Sequence, residues 1–484
     1  MDSAKLTVLD LLERSTAKAP DRSAIVTFEK TISYRELAVR SQALGRVLLK
    51  ETARPVVALF FPTSPEFALA YLGVLYAGKQ ALPLNLLLPP AELKYIVDDS
   101  GTDLIIAPPE LAPRLASLGV KVANFAELCA KDSNDAPPRP DPDDVCTLLY
   151  TSGTTGQPKG VELTHWSLAF DASSSVEMMQ LDSGHRFLAS LPSFHTFAIT
   201  ATMLAPLASG GSFATLPKFD PEAVLKVASE LKCNTFMMVP SMYRLITRMQ
   251  ERRPREINLR LAIAGGEALP AEVREHFEKV FGIPLLEGYG QTETGPIISF
   301  NTAQANRPGT VGKPIPGVEA QIVDPDTLLV LAPQTTGEIW VRGPNLMKGY
   351  HHRPEETAKV LSPEGWLKTG DMGELTSDGF IRITGRLREM IKVSGEMVFP
   401  AEVENALLNH PSVFEAGVTG AKDERKGEMV KAYVVLKPGI QVTEDELLAH
   451  CRNTLAAYKS PRSIEFRTEL PKGPTGKVLR RFLK

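Results

Sequence analysis

Cysteine is scarce: the 484-residue chain holds four, Cys129, Cys146, Cys233 and Cys451, with no Cys-x-x-Cys or Cys/His spacing between them. That scarcity excludes a disulfide framework and a zinc ribbon and reads as reduced thiols in a cytoplasmic protein. Positive charge is not in excess either. With a net charge of -3, no basic run and no RNA-binding signature, the chain lacks the surface that nucleic acid demands. Long hydrophobic runs are missing. The longest, roughly Phe67 to Gly78, stops at Lys79 and Gln80 and falls short of the ~20 apolar residues that span a bilayer. No transmembrane segment is expected, and peripheral membrane contact stays open. The amino terminus lacks the charged stub and unbroken apolar core of a signal peptide. Internal repeats, low-complexity tracts and a Gly-x-x-x-x-Gly-Lys-Ser/Thr loop are also absent. What remains is an ordinary composition, 43% apolar and 23% charged, enough for roughly two to four domains and pointing to a small-molecule partner.

Taken in order, residues 5–50 predict a helix, a strand pair and a second helix, with Ala24–Phe28 as a strand and Ser33 and Glu36 as a capping box. Val56–Phe60 reads as a buried strand, and helices and strands alternate to Ile106, the pattern of a parallel sheet covered on both faces. Residues 131–144 carry four prolines and little to bury, so an exposed connection is expected. Helical patterns around 164–180, 197–209 and 220–231, trailed by runs such as Thr235–Val239, predict a second α/β unit. Beyond Glu293 glycine punctuates short alternating runs as far as Thr384, the spacing of a small β-rich unit. From Met390 on, helices over Pro400–Leu408 and Glu444–Leu455 among short strands predict a compact α+β domain.

Three stretches carry chemistry. Tyr150–Gly160 follows the apolar Val145–Leu149, and its glycines let backbone N–H groups approach an anion while Ser152, Thr154, Thr155 and Lys159 add donors and charge. A solvated turn of the same composition is the competing reading. In Gly288–Glu293, Tyr289 offers a flat face for a base, Gly290 leaves room beside a substrate, Thr292 is a donor, and Glu293 can hold magnesium on ATP. In Lys368–Asp371, the carboxylate past Gly370 can accept both ribose hydroxyls, although an aspartate there is also an ordinary turn residue.

Taken together, Thr151-Ser-Gly-Thr-Thr-Gly-x-Pro-Lys-Gly, Gly288-Tyr-Gly-x-Thr-Glu, Thr369-Gly-Asp, Gly385-Arg-Leu-Arg-Glu-Met-Ile-Lys and Pro471-Lys-Gly-Pro-Thr-Gly-Lys stand in the order found in adenylate-forming enzymes. Over essentially its whole length the chain resembles the family of acyl-CoA synthetases, firefly luciferase and peptide-synthetase adenylation domains. The resemblance implies an α/β fold: a large N-terminal domain, 1–387, of two α/β subdomains and a β-barrel-like subdomain, then a small mobile α+β domain, 388–484. It implies a carboxylate attacking the α-phosphate of ATP to give acyl-AMP, then a thiol displacing AMP, with ATP, Mg2+ and CoA as cofactor and co-substrates. By the same resemblance, Thr151, Ser152, Gly153, Thr154, Thr155, Gly156 and Lys159 would hold pyrophosphate, Thr292 the α-phosphate and Glu293 the magnesium. Asp371 and Arg386 would bind ribose, Tyr289 would stack on adenine beside Gly290, and Gly265, Gly266 and Glu267 would line the cleft. Lys477 would bridge carboxylate and α-phosphate, Arg388 would be the hinge, and Lys392 would flank AMP.

For the acid, Leu191–Ala198 matches the family's pocket motif, so His195 would gate the carboxylate site and Phe194, Phe197, Met238, Val239 and Gly290 would wall the acyl pocket. Gly288 stands where malonate-type members carry arginine, and no aspartate near Ser193–Thr200 could grip an α-amine. An uncharged, hydrophobic acid is expected, a medium- or long-chain fatty acid. Ligation to an acyl carrier protein stays open because Lys392–Val398 is similar to acyl-acyl-carrier-protein synthetases. A coumarate-type aryl-CoA ligase stays open because it shares alanine at Ala198. A regulator that binds nucleotide without catalysis is the alternative from another class, and intact Lys477, Glu293 and Lys159 speak against it.

Overall fold

The computed structural model describes residues 4–151, 157–393, 396–423, 427–471 and 478–483. Local signals explain most element ends. The helix Val8–Lys18 turns Val8, Leu9, Leu11 and Leu12 inward and opens on a reciprocal capping box between Thr7 and Asp10. Ser33 caps the helix Tyr34–Glu51 by accepting from the Glu36 amide, but Glu36 reaches Arg40 at 2.9 Å instead of completing the expected box. The expected strand Ala24–Phe28 stops at Val26, because the Thr27 amide bonds the Lys30 carbonyl in a turn that leaves Phe28 exposed.

The longest apolar run becomes the helix Pro65–Tyr76, buried at every position except Glu66, the fate of an all-round apolar helix in a globular interior. It meets Tyr34–Glu51 where side chains are missing. A methyl on Gly45 would lie 2.8 Å from Tyr76 Cβ, and one on Gly73 2.7 Å from Leu44 Cδ2, so the two helices touch almost backbone to backbone. Each large apolar side chain buried in this way contributes ~1.5–3 kcal/mol.

By compactness the chain forms two units, residues 1–319 with 341–367 and residues 320–340 with 368–484. The first holds two mixed sheets. One has seven strands in the order Gly349–Tyr350, Lys159–Thr164, Val145–Thr151, Gln80–Pro83, Val56–Leu59, Leu104–Ala107 and Lys121–Asn124. It is parallel from Val145–Thr151 onward and antiparallel at its first two pairings. The other has nine strands, parallel from Leu286–Tyr289 through Leu261–Ala264, Thr235–Met238, Arg186–Ala189 and Ser212–Thr215 to Ser23–Val26, with antiparallel strands at both edges. Helices cover these sheets, as strand–helix alternation demands. Residues 131–144 form the expected irregular, largely exposed connection.

The helix expected over 197–209 is broken into Thr196–Ile199, a π turn Thr200–Leu204, and Ala205–Ser209. Pro206 has no N–H for the preceding turn, Thr202 Oγ1 donates to the Ala198 carbonyl at 2.6 Å, and Thr200 Oγ1 donates to the Gly295 carbonyl at 2.7 Å. The wide turn therefore grips the loop after Glu293.

Glu319–Val323, Gly337–Arg342, Leu367–Leu375 and Ile381–Arg386, whose residues fall mostly in the second unit, form a four-stranded sheet. After the turn Leu387–Glu389, Val413–Asp423 and Gly427–Leu436 form a long hairpin joined by Ile391–Val393, Glu396–Val398 and Ser463–Phe466. The helices Pro400–Leu408 and Glu444–Thr454 accompany this sheet, over a core that includes Val403, Leu407, Val418, Val434, Leu447 and Cys451. The boundary expected after residue 387 thus falls inside this unit, at the turn between its two sheets. Phe399 packs across that turn so tightly that a methyl on Gly385 would lie 2.5 Å from its ring. All four cysteines are free thiols, and no helix among the described residues is long and apolar enough to cross a membrane.

Candidate active site

Strand Val145–Thr151 pairs antiparallel with Lys159–Thr164, setting Thr151 opposite Lys159 at the two ends of the glycine-rich loop. The expected ligands Ser152, Gly153, Thr154, Thr155 and Gly156 lie outside the described residues. The loop's base is held by a polar lattice. Tyr95 donates to the Pro158 carbonyl at 3.3 Å, Arg353 donates to the Tyr95 hydroxyl and to Asp99, and Tyr150 donates to Asp99 at 2.7 Å. Gly160 leaves room for the edge strand: a methyl there would lie 2.9 Å from Leu148 and 3.1 Å from both Tyr150 and His351. Lys159 forms an ion pair with Glu356 and sits 5.2 Å from the centre of the Tyr350 ring.

The second motif begins on the strand Leu286–Tyr289, where Gly288 and Tyr289 pair with Phe300 and Ser299. Thr292, Glu293 and Thr294 form a 3-10 turn, and Tyr350 donates its hydroxyl to Glu293 Oε1 at 3.0 Å. Gly290 was expected to leave room beside a substrate. Its missing side chain instead admits the protein's own backbone, since a methyl there would lie 1.6 Å from the Pro296 carbonyl oxygen. The Pro296 loop is pinned from behind. Asp171 accepts from the Ile297 amide at 2.7 Å, and Asn345 donates to the carbonyls of Thr294 and Ile297 at 3.0 and 2.7 Å. Complete burial pushes the Asp171 carboxyl well above the usual range.

Gly265 and Gly266 follow strand Leu261–Ala264, and Gly266 takes a left-handed φ of 81°. Cβ positions built on them would contact Phe197 at 3.3 Å and Val239 at 3.5 Å, so these four expected site residues do meet. Met238 is fully buried with Phe236 in the core cluster against which Phe197 and Val239 themselves pack, and its carbonyl accepts from the Gly265 amide at 3.1 Å. Phe194 and His195 lie ring to ring at 4.7 Å. Packing around it pushes the His195 imidazole below its ordinary range.

Glu287 anchors the loop that carries Glu267, accepting from the Leu269 amide at 3.1 Å, and burial pushes its pKa up to about 7 despite that bond and Arg274 nearby. The folded protein therefore keeps this proton from the ordinary glutamate range up to about pH 7, where the unfolded chain has lost it. Stability falls as pH rises through that window. Glu287→Gln, which keeps an acceptor for Leu269, is expected to raise the thermal midpoint at pH 8 and to lose that advantage near pH 5. An equal gain at both pH values would sink the assignment.

In the second unit Asp371 and Arg386 are direct cross-strand neighbours with Arg386 Nε 3.0 Å from Asp371 Oδ1. Gly370, at φ 69°, donates its amide to Glu338, and Thr369 donates to the Ile339 carbonyl at 2.6 Å, fixing the turn before Asp371. Arg388 is exposed in the turn Leu387–Glu389, and Lys392 lies on Ile391–Val393 with its amide bonded to Glu428. Lys477 is outside the described residues. Its flanks are fixed: Leu479 donates to the Pro471 carbonyl at 2.7 Å, and Arg480 pairs with Glu404 and Glu389.

Tyr350, Glu356, Arg353, Asp171 and Asn345 escape sequence reasoning, since none stands in a stretch of glycines and hydroxyls. Residues 12–351 match the model of the AMP-binding enzyme family, and 402–477 match that of the AMP-binding enzyme C-terminal domain. Long-chain-fatty-acid–CoA ligase of Bacillus subtilis is 35% identical, covering 99% of this chain and 94% of its own length. Feruloyl-CoA synthase of an Amycolatopsis species is 36% identical over 96% of each. Among solved structures, O-succinylbenzoate coenzyme A synthetase from Bacillus subtilis, in complex with ATP and magnesium ion, aligns with a TM-score of 0.89 and 29% identity over 99% of this chain and 100% of that one. An adenylate-forming fold matched over nearly the whole chain by CoA ligases defines an acid:thiol ligase using ATP, magnesium and CoA. The chain belongs to the AMP-binding enzyme family, as an acyl- or aryl-CoA ligase.

Proposed function

We propose that this ligase acts on an uncharged, hydrophobic acid, a medium- or long-chain fatty acid, in a cytoplasmic setting that suits its four free thiols. The observation that carries the reading is the wall of Phe197 and Val239 against Gly265 and Gly266, together with no titratable side chain except His195 in Leu191–Ala198. Each methylene buried there contributes about 0.8 kcal/mol. A carboxylate oxygen of the acid bonds to the α-phosphorus of ATP, and the bond from that phosphorus to the bridging oxygen breaks with pyrophosphate leaving. The thiolate of CoA then bonds to the acyl carbon and AMP departs with the oxygen.

In this reading Lys159, Thr151 and the loop residues hold the leaving pyrophosphate, Thr292 the α-phosphate, Asp371 and Arg386 the ribose, and Tyr289 the adenine. No group of three His, Cys, Asp or Glu among the described residues could hold a metal unaided. Magnesium carried by nucleotide phosphates needs only one or two carboxylates, and Glu293 fits that donor set. When bound, the ion neutralises charge gathering on the phosphates. Lys477 bridges the reacting oxygens, and rotation at Arg388 exchanges that lysine for the thiol-transfer surface near Lys392.

A second reading, an aryl acid, is favoured by Ala198 and by the 36% identity to feruloyl-CoA synthase. The deciding measurement is pyrophosphate release across fatty, aryl and dicarboxylic acids, with CoA and then with holo carrier protein. Preference for fatty acids with CoA is expected. A tenfold preference for cinnamate-type acids moves the assignment to the aryl class, transfer to carrier protein alone changes the thiol, and nucleotide binding without pyrophosphate release makes the chain a regulator.

A further inference from the structure

Residues 348–357 bond to the strand that leaves the glycine-rich loop, to the lattice beneath Pro158 and to Glu293. Gly349 and Tyr350 pair antiparallel with Glu162 and Val161, directly beyond the loop, and the His351 amide donates to the Gly160 carbonyl at 2.7 Å. Arg353 reaches the Tyr95–Asp99 lattice beneath Pro158. Thr357 locks the segment on itself, accepting from the Tyr350 amide at 2.9 Å and donating to the Arg353 carbonyl at 2.9 Å. From this fixed frame Tyr350 lays its ring beside Lys159 and its hydroxyl on Glu293, while Glu356 takes the Lys159 ammonium itself.

We infer that Glu356 is a positioning residue that competes with nucleotide phosphate for Lys159, and that residues 348–357 form a clasp tying that lysine to Glu293. The inference rests on the reading that Lys159 and Glu293 serve the nucleotide. Lys159 is 17% exposed at its side chain, so its ammonium has few water partners and the Glu356 carboxylate is a real rival for it. The Lys159 hydrogen bond holds the Glu356 carboxyl below the usual range, so the rival is ionised at neutral pH. A triphosphate or pyrophosphate arriving at Lys159 must displace that carboxylate and bear its repulsion. Glu356 thereby loosens both ATP and the pyrophosphate product, while the Tyr350 ring keeps the lysine aimed when the ion pair opens.

Steady-state kinetics of the full chain test this. Glu356→Gln is expected to lower the KM for ATP and the inhibition constant of pyrophosphate together, by roughly 3- to 10-fold, with the KM change exceeding any change in kcat. Glu356→Asp should return part of the way to the parent values, and in a Lys159→Ala background Glu356→Gln should change neither constant. If Lys159→Ala raises the KM for ATP while Glu356→Gln leaves both constants unmoved or raises them, the competition is wrong and the phosphate reading stands. If Lys159→Ala itself leaves ATP and pyrophosphate unaffected, the phosphate reading is what fails.

Discussion

Replacing Lys477 by alanine is expected to cut acyl-AMP formation by at least 10²- to 10³-fold, the usual effect of removing one group aimed at developing charge. Thiol transfer from supplied acyl-AMP should survive largely intact. The asymmetry follows from what each half-reaction needs. A carboxylate attacking a polyanionic phosphate needs a cation between the two, whereas a thiol displacing AMP needs only room and orientation. The anchoring on either side of residue 477 makes the test clean. Leu479 bonds back to Pro471 at 2.7 Å, and Leu470, Val478 and Leu483 pack together on the hairpin at Tyr433 and Val435. Arg480 pairs with both Glu404 and Glu389, and those carboxylates hold its guanidinium above its ordinary range. These contacts are made by residues other than 477, so alanine there leaves them in place. Pyrophosphate release on one side and CoA-ester formation from synthetic acyl-AMP on the other give the two rates. Equal loss of both would remove the exchange of surfaces at Arg388 from the mechanism.

Gly290→Ala is expected to cost stability and activity together, on the order of 3 kcal/mol or more where overpacking cannot relax. The added methyl would overlap the Pro296 carbonyl at 1.6 Å, and that carbonyl has nowhere to go. Its neighbours Gly295 and Ile297 are held by Thr200 and by Asp171 with Asn345. Gly119→Ala is the fitting comparison, because nothing lies within 4 Å of its added methyl and only its left-handed φ of 73° is strained. Thermal midpoints should rank parent, Gly119→Ala, then Gly290→Ala by a wide margin. A Gly290→Ala protein as stable as the Gly119→Ala protein would return position 290 to the role of substrate clearance.

Much of the site was legible in the chain because its chemistry is local. Thr151 to Gly160, Gly288 to Glu293 and Thr369 to Asp371 each place glycine beside hydroxyl or carboxylate groups within a few residues, the first two at the end of a strand and the third within one. Sequence proximity and spatial proximity coincide there. Gly290 shows where this fails: the same glycine serves a ligand or a carbonyl six residues ahead, and local pattern cannot tell which. The capping box at Ser33 was half right for a similar reason, since Glu36 had a second partner one turn along.

The order and spacing of the motifs were enough, with no coordinates, to mark the resemblance to adenylate-forming enzymes, and that resemblance implied nucleotide-dependent activation of an acid. Folding alone decided what governs the motif side chains: Glu356 on Lys159 across 197 positions, and Tyr350 on Glu293 across 57. Such partners meet because a two-residue strand closes the edge of a sheet begun far earlier in the chain. Pairing of that kind depends on which edge stays open once the rest has packed, a property that belongs to the assembled sheet and to no segment of it.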